Sequence, residues 1–266
     1  MFETKKNTST VSIVIPTYNR ASFLPKAIDS ALNQTYSVEV IVVNHGSTDK
    51  TDEVVASYGN RVKYIKRSED FGPHFCWLEG VLSSTGDFVH LQFDDDWIEP
   101  EFISDCMNVF ADDVGFAFTC ADIFDEKTGT VQFTQFKDWC PKTGVYPRKK
   151  IEKKILRSLI SPAAAVYRKQ ILIDALYQGR LPLSKSEYHG VGPDCFVTLL
   201  SMIRYPKIGF VNKSLATFRA HDGSITINAS LENKKSLNIE QAYDEVKRYY
   251  REIKLMRLIR RILGYN

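Results

Sequence analysis

Three consecutive carboxylates, Asp94-Asp95-Asp96, close the apolar run Phe88–Phe93 (FVHLQF). Adjacent carboxylates repel one another, so clustering them at the end of a buried strand makes sense where a cation resides. Hard Mg²⁺ or Mn²⁺ prefers oxygen ligands and often binds through one or two carboxylates plus substrate phosphates. The alternative is a solvated acidic turn that caps the helix expected to begin near Pro100. A second isolated acid, Asp194, stands at the head of the apolar helical stretch Cys195–Ile203, where a carboxylate also serves as an N-cap.

The elements that must position these groups alternate. Val11–Pro16 (VSIVIP) is a continuous β-branched run, which predicts a buried parallel strand. A polar loop, Thr17–Ala21, follows it. Phe23, Leu24, Ala27, Ile28, Ala31 and Leu32 then recur at helical spacing, with Ser22 as the expected cap. Val38–Val43 predicts a second buried strand running into the turn-rich Asn44-His45-Gly46-Ser47-Thr48-Asp49 and a short helix over Thr51–Ser57. Val62–Ile65 predicts a third strand, Pro73–Ser84 a helix stopped by Gly86, and Phe88–Phe93 a fourth strand. Strands and helices at this pitch imply βαβ units and a mostly parallel sheet, with ligands at the carboxyl ends of the strands. The loops after Pro16, Val43 and Phe93 should therefore converge on one crevice.

The second half is less regular. Gly115–Ala121 predicts a strand, Asp122–Phe136 a loop or hairpin around Lys127-Thr128-Gly129, Arg148–Leu159 a basic helix, Ala163–Tyr167 a strand and Lys169–Tyr177 a helix. Leu181–Gly192 is polar and punctuated by Gly and Pro, the pattern of a mobile loop. Lys207–Val211 and Leu215–Arg219 read as two short strands ending at His221-Asp222-Gly223-Ser224.

Composition sets the outer bounds. In 266 residues, 44% are hydrophobic and 25% charged, which excludes a disordered chain. No apolar run approaches the roughly 18 residues of a spanning helix, and the N-terminus lacks the apolar core of a signal peptide. Five widely spaced cysteines without a C-x-x-C pair point to reduced thiols and a cytoplasmic setting. Net charge is only +3, and the basic residues outside the C-terminal segment are balanced by acids, so no nucleic-acid partner is expected. That segment, 247–266, holds seven bases against one acid, with Tyr249, Ile253, Met256, Ile259 and Leu263 at helical steps. A basic amphipathic helix follows, either lying on an anionic membrane surface or docked on the domain with a solvated basic face.

The ordered series VSIVIPTYNR, VIVVNHGSTD and GDFVHLQFDDDWIEPEF resembles glycosyltransferase family 2, inverting enzymes of the GT-A fold. Ser161-Pro162 with Tyr167-Arg168-Lys169 resembles the family's acceptor-side segment. Gly192-Pro193-Asp194 sits where the family often has a Glu-Asp pair, and LATFRAHDGS resembles its closing strand and loop. The resemblance implies a single α/β domain of GT-A type over residues 1–225, with a nucleotide-binding half to about 120 and an acceptor half beyond, and a helical basic tail over 226–266. It implies transfer of a sugar from a nucleotide-diphosphate donor to an acceptor hydroxyl with a Mg or Mn cofactor, and the basic tail points to a membrane-associated acceptor, such as a surface glycan or lipid-linked precursor, with peripheral attachment to the inner face of the membrane.

By the same resemblance, Pro16, Thr17, Tyr18 and Arg20 hold the nucleotide, with Tyr18 stacked on the base. Asn44 and His45 occupy the positions of two usual acids, Asp94 faces the ribose, and Asp95 is the first metal ligand with Asp96 as an alternative. His221 and Arg219 reach the metal or diphosphate, and Asp194 is the general base. Asp49, the acid of Gly-Ser-Thr-Asp, is expected to cap a helix. Three positions depart from the family pattern on the nucleotide side: His45 for an acid, Phe93 for the first acid of Asp-x-Asp, and Trp77 for an Arg. Those departures motivate a rival reading, a silent relative that binds nucleotide or membrane. A nucleotidyltransferase is disfavoured because PTYNRASF has no Gly and a single Arg.

Overall fold

The computed structural model describes residues 10–179, 181, 192–221 and 233–265. The expected mobile loop Leu181–Gly192 lies almost wholly outside them, as do the Asp222-Gly223-Ser224 turn and residues 226–232.

β1 (Val11–Thr17) is buried along its whole length, as its unbroken apolar run requires. It pairs in parallel with β2 (Val38–His45) on one side and β4 (Phe88–Leu91) on the other, and β2 pairs in parallel with β3 (Lys63–Arg67). Three helices serve this half: α1 (Leu24–Leu32), α2 (Thr51–Ala56) and α3 (Pro73–Ser83). Ser22 does not cap α1. The helix is entered through a turn in which the Phe23 and Leu24 N–H groups donate to the Arg20 carbonyl. Gly86 does not stop α3, which ends three residues earlier; a Cβ at Gly86 would lie 2.7 Å from the Ser12 nitrogen, so glycine lets the chain pass close under β1.

After the acidic triplet come β5 (Trp97–Ile98) and α4 (Phe102–Asn108). The triplet is thus separated from α4 by a strand, which removes the helix-cap alternative. β6 (Val114–Asp125) and β7 (Thr130–Gln135) form the expected hairpin, followed by β8 (Gly144–Pro147), α5 (Arg148–Arg157), β9 (Ala165–Arg168), α6 (Lys169–Ala175) and α7 (Pro193–Arg204). The two short strands expected over 207–219 are one strand, β10 (Lys207–Ala220), whose pairing with β6 shifts register around Val211–Ala216. Polar Asn212-Lys213-Ser214 mark that irregularity, which is why the sequence reads as a break. Strand order is β3-β2-β1-β4-β9-β6-β10-β5, with β7 on β6 and β8 on β10. β9 is antiparallel to both β4 and β6 and joins the two parallel parts into one sheet. α8 (Asn233–Ile262) is the C-terminal helix, and its Ala242, Val246 and Tyr250 are buried, with the Tyr249 ring 5.7 Å from that of Phe196 on α7. All five cysteines are reduced and buried.

Candidate active site

The short β5 does the placing. Its Trp97 and Ile98 pair antiparallel with Thr217 and Ala216 of β10, so the turn Phe93–Asp96 lies against the end of β10. Asp96 secures this contact: it is buried, and one of its carboxylate oxygens accepts the Arg219 backbone N–H at 3.0 Å. Burial and the Asp95 charge push the Asp96 carboxyl well above its usual range. The side chain fixes the loop and is turned to β10.

Asp95 points the other way. Its Oδ2 lies 3.0 Å from His221 Nε2 and 3.6 Å from Arg20 Nη1, and Arg20 Nη1 is itself 3.0 Å from His221 Nε2. One ring nitrogen therefore faces both an acceptor and a donor, and in any one tautomer it can satisfy only one of them. Phe23 underlies the group, with its ring 4.7 Å from that of His221 and 5.7 Å from the Arg20 guanidinium. Asp94 is pressed up to about 7 by burial and by the neighbouring Asp95 charge, against the Thr17 hydroxyl, Arg20 and the Tyr18 N–H, which favour its ionised form.

A divalent cation fits this donor set. Asp95 Oδ2 and His221 Nε2 are one hard oxygen and one imidazole nitrogen at the spacing of adjacent ligands on an octahedron with bonds of ~2.1 Å. Among the described residues no third His, Cys, Asp or Glu joins them. That is the arrangement expected where substrate phosphates and water complete the shell.

Arg219 lines the cavity as the resemblance implies, but two of its donors are engaged within the protein. Its Nε donates to the Asp95 carbonyl at 3.0 Å and its Nη1 to Glu126 at 2.9 Å, with the guanidinium 4.9 Å from the Phe23 ring and 5.2 Å from that of Trp97. It braces the acidic turn, and Arg20 takes the place beside Asp95. Asn44 is fully buried and absent from the cavity wall: its amide donates to Tyr64 and Asp52, and its carbonyl accepts the Ser47 N–H. It shapes the loop.

The loops after β1 and β2 are stitched together. Asn19, with φ 53°, accepts the Thr48 N–H and donates its own N–H to Ser47 Oγ. Asp49 stands one residue before Lys50, the N-cap of α2, and not at the cap itself; it accepts the Thr51 hydroxyl and the N–H groups of Thr51 and Ala21, and so ties down the loop that carries Tyr18 and Arg20. Burial alone would raise its carboxyl, but these hydrogen bonds hold it below its usual range. Tyr18 is 48% exposed, so its ring is open to a ligand.

The three departures from the family pattern gather on one side. Trp77, on α3, stacks on Phe93 with ring centroids 5.2 Å apart and an interplanar angle of 29°. His45 Nε2 lies 2.8 Å from Glu79 Oε2, and Arg67 donates to the same carboxylate. Arg67 holds the Glu79 carboxyl below its usual range, so Glu79 is an ionised acceptor and His45 Nε2 carries the proton. His45 Nδ1 is buried without a partner among the described residues, and in the neutral ring it is an acceptor.

These groups line a cavity of about 980 Å³, the size of a large ligand site. Pro16, Thr17, Tyr18, Arg20, His45 and the three aspartates lie on its wall, and so do Asp194, Ile239 and Tyr243. Asp194 stands in the first turn of α7. Its Oδ1 accepts the Gly192 N–H at 2.9 Å, and its Oδ2 accepts the Tyr243 hydroxyl at 2.8 Å. Gly192 has φ 108°, and a Cβ there would meet the Tyr177 hydroxyl at 2.6 Å, so the local backbone that presents this N–H needs glycine. Burial raises the Asp194 carboxyl above its usual range, while the Tyr243 and backbone donors oppose the rise. The sequence reading missed Phe23, Glu79 and Tyr243 as site residues; Tyr243 is supplied from the C-terminal helix, 49 positions from Asp194.

The family model described as glycosyl transferase family 2 matches residues 12–176, more than half of the chain. The chain belongs to that family. An uncharacterised glycosyltransferase of Rickettsia typhi is 35% identical over 137 residues, 49% of this chain and 43% of the relative. Glycosyltransferase GlyA of Streptococcus pneumoniae is 25% identical over 228 residues, 81% of this chain and 31% of the relative. The chain thus spans less than half the length of either. Among solved structures, residues 1–349 of S. aureus TarS in complex with UDP-GlcNAc superpose with a TM-score of 0.62 at 21% identity, covering 81% of this chain and 60% of that one. Glucosyl-3-phosphoglycerate synthase of Mycobacterium tuberculosis, in complex with Mn²⁺, UDP and phosphoglyceric acid, gives 0.56 at 16% identity over 89% and 79%. These likenesses establish the GT-A fold of the family 2 chain.

Proposed function

We propose that this family 2 chain transfers a sugar from a nucleotide-diphosphate donor to an acceptor hydroxyl, with inversion at the anomeric carbon. One observation carries the reading: a single cavity is lined both by the Asp95–His221–Arg20 cluster and by the buried carboxylate of Asp194. Solved neighbours with Mn²⁺ and nucleotide support the donor class.

The donor's base stacks on exposed Tyr18, and its hydrogen-bonding edge meets His45 Nδ1. Asp95 and His221 would hold Mg²⁺ or Mn²⁺, which when bound supplies Lewis-acid charge against the leaving diphosphate. Arg20 turns its guanidinium from Asp95 to the phosphate oxygens, where negative charge grows as the sugar–oxygen bond breaks. Asp194 accepts the proton of the attacking hydroxyl while the acceptor oxygen bonds to the anomeric carbon and the nucleoside diphosphate departs. A base in this position contributes ~10²–10⁴-fold, and a buried carboxyl with a raised pKa is the better matched to that task. The acceptor class fitting this reading is a glycan or lipid-linked hydroxyl.

The silent-relative reading is weakened by the departures themselves. Trp77 and Phe93 form a packed aromatic pair, and His45 has an ordered acid partner, so the base pocket is rebuilt with different chemistry. The test is a panel of nucleotide sugars with Mn²⁺, read as released nucleoside diphosphate for the wild type and for Asp194→Asn. Turnover by the wild type, with donor binding retained and turnover lost in Asp194→Asn, is the expected result. Normal turnover in the variant would remove the assignment of the base.

A further inference from the structure

The polarity of α8 changes sides part-way along. On the face turned to α7, Ala242, Val246 and Tyr250 are buried and Ile253 is partly so. One heptad beyond Tyr250 and Ile253, that same face reads Arg257 and Arg260. The Arg257 guanidinium donates to the Ile203 carbonyl at the end of α7, and Lys254 pairs with Glu152 on α5. On the opposite face the change is reversed. Asp244, Arg248, Arg251 and Glu252 occupy it first, and then, at the same helical positions, Leu255, Leu258, Ile259 and Ile262. Averaged over its length the helix has almost no amphipathic bias, because its two parts point opposite ways.

From residue 254 on, every described side chain is exposed: Lys254 and Arg257 still reach the body, and the aliphatic side faces solvent. Leu258 is 54% exposed and Ile262 74% exposed, with Leu255, Met256 and Leu263 similarly open. A contiguous aliphatic stripe of this kind marks an interaction surface. Its surroundings select the occupant. Arg248 and Arg251 lie on the same face one turn before the stripe, and residues 247–265 carry seven bases against one acid. A second copy laid on this face would bring its own surplus of bases against these, whereas anionic headgroups complement them.

We propose that the terminal turns of α8, residues 254–263, form a docking surface for an anionic lipid bilayer. Leu255, Leu258, Ile259 and Ile262 enter the acyl boundary, and Arg248 and Arg251 on the same face reach headgroup phosphates. Tyr243 lines the cavity on the same helix, 19 residues before Ile262, so bound membrane would stand roughly 28 Å along the helix axis from the base carboxylate. The surface is independent of the transfer reading, since none of its side chains lines the cavity.

The test is flotation of the full chain with phosphatidylcholine vesicles, with and without phosphatidylglycerol, for the wild type and the Leu258→Glu/Ile262→Glu double variant. The wild type should float only with the anionic vesicles and should be released by high salt. The double variant should partition at least about tenfold less, since two buried aliphatic anchors become charges. Its circular dichroism and melting temperature should match the wild type, because both positions are open to solvent. Equal flotation of the two proteins would overturn the proposal. So would absence of the wild type from anionic vesicles, or a wild-type dimer that the double variant converts to monomer.

Discussion

Tyr243, on the C-terminal helix, donates its hydroxyl to Asp194 Oδ2 at 2.8 Å and thereby ties a residue beyond the family-matched segment to the proposed base. Burial raises the Asp194 carboxyl and this hydrogen bond opposes the rise. Tyr243→Phe keeps the ring and removes the donor, so the carboxyl climbs further. The base works only when ionised, so the acid limb of the kcat profile should move to higher pH by about one unit. Above both pKa values the two enzymes should converge in rate, with donor KM unchanged. A rate loss equal at every pH would mark Tyr243 as merely structural.

Asp95 and Asp96 are neighbours in sequence with opposite duties, and conservative variants separate them. Asp96 accepts a backbone N–H. Asparagine can accept the same bond, so Asp96→Asn should keep Mn²⁺ affinity within a few-fold. Asp95→Asn removes the charged oxygen that faces His221, and His221→Ala removes the nitrogen; each should weaken Mn²⁺ binding by about 10–100-fold. Mn²⁺ titration in the presence of nucleoside diphosphate, followed by electron paramagnetic resonance, reads this directly. Equal losses in Asp95→Asn and Asp96→Asn would overturn the division.

The parallel half of the sheet was legible because β1 and β2 carry apolar β-branched runs and the loops between elements are polar. The convergence of Tyr18, His45 and Asp94 on one cavity followed from that topology. What was hidden depends on side-chain direction or on distant pairing. Nothing in the spacing tells that Asn44 faces α2 while the adjacent His45 faces the cavity, beyond strand alternation itself. Arg219 reads as a free cation until Glu126 and the Asp95 carbonyl are seen to occupy it. Tyr243 carries no local signal, since its partner comes from another element. The inversion of α8 was masked because Tyr249, Ile253, Met256, Ile259 and Leu263 keep helical steps while drifting from the buried face to the open one.

The stack of Trp77 on Phe93 predicts coupled stability. Trp77 is buried, and Trp77→Ala should cost about 3–5 kcal/mol by denaturant unfolding. Phe93→Ala should cost less, because Phe93 is only partly buried. The double variant should fall short of the sum by about 0.5–1.5 kcal/mol, the worth of an aromatic pair beyond its area. Strict additivity would mean that the two rings share a wall without interacting.

His45 gives the last prediction, on donor choice. Glu79, kept ionised by Arg67, accepts a hydrogen bond from Nε2–H, so in the neutral imidazole Nδ1 is the acceptor. An acceptor there suits a base that presents a ring N–H on its pairing edge, as uracil, thymine and guanine do. Adenine and cytosine offer an unprotonated ring nitrogen instead and would leave Nδ1 facing a lone pair. UDP, dTDP or GDP should therefore raise the melting temperature in the presence of Mn²⁺ more than ADP or CDP. His45→Phe removes the acceptor while keeping an aromatic ring beside Phe71 and Phe75. It should weaken the preferred nucleotide by about tenfold, the loss of one hydrogen bond in a desolvated site, and should narrow the gap between the two groups of bases. Stabilisation by ADP or CDP equal to that of the others in the wild type would show that Nδ1 does not read the base.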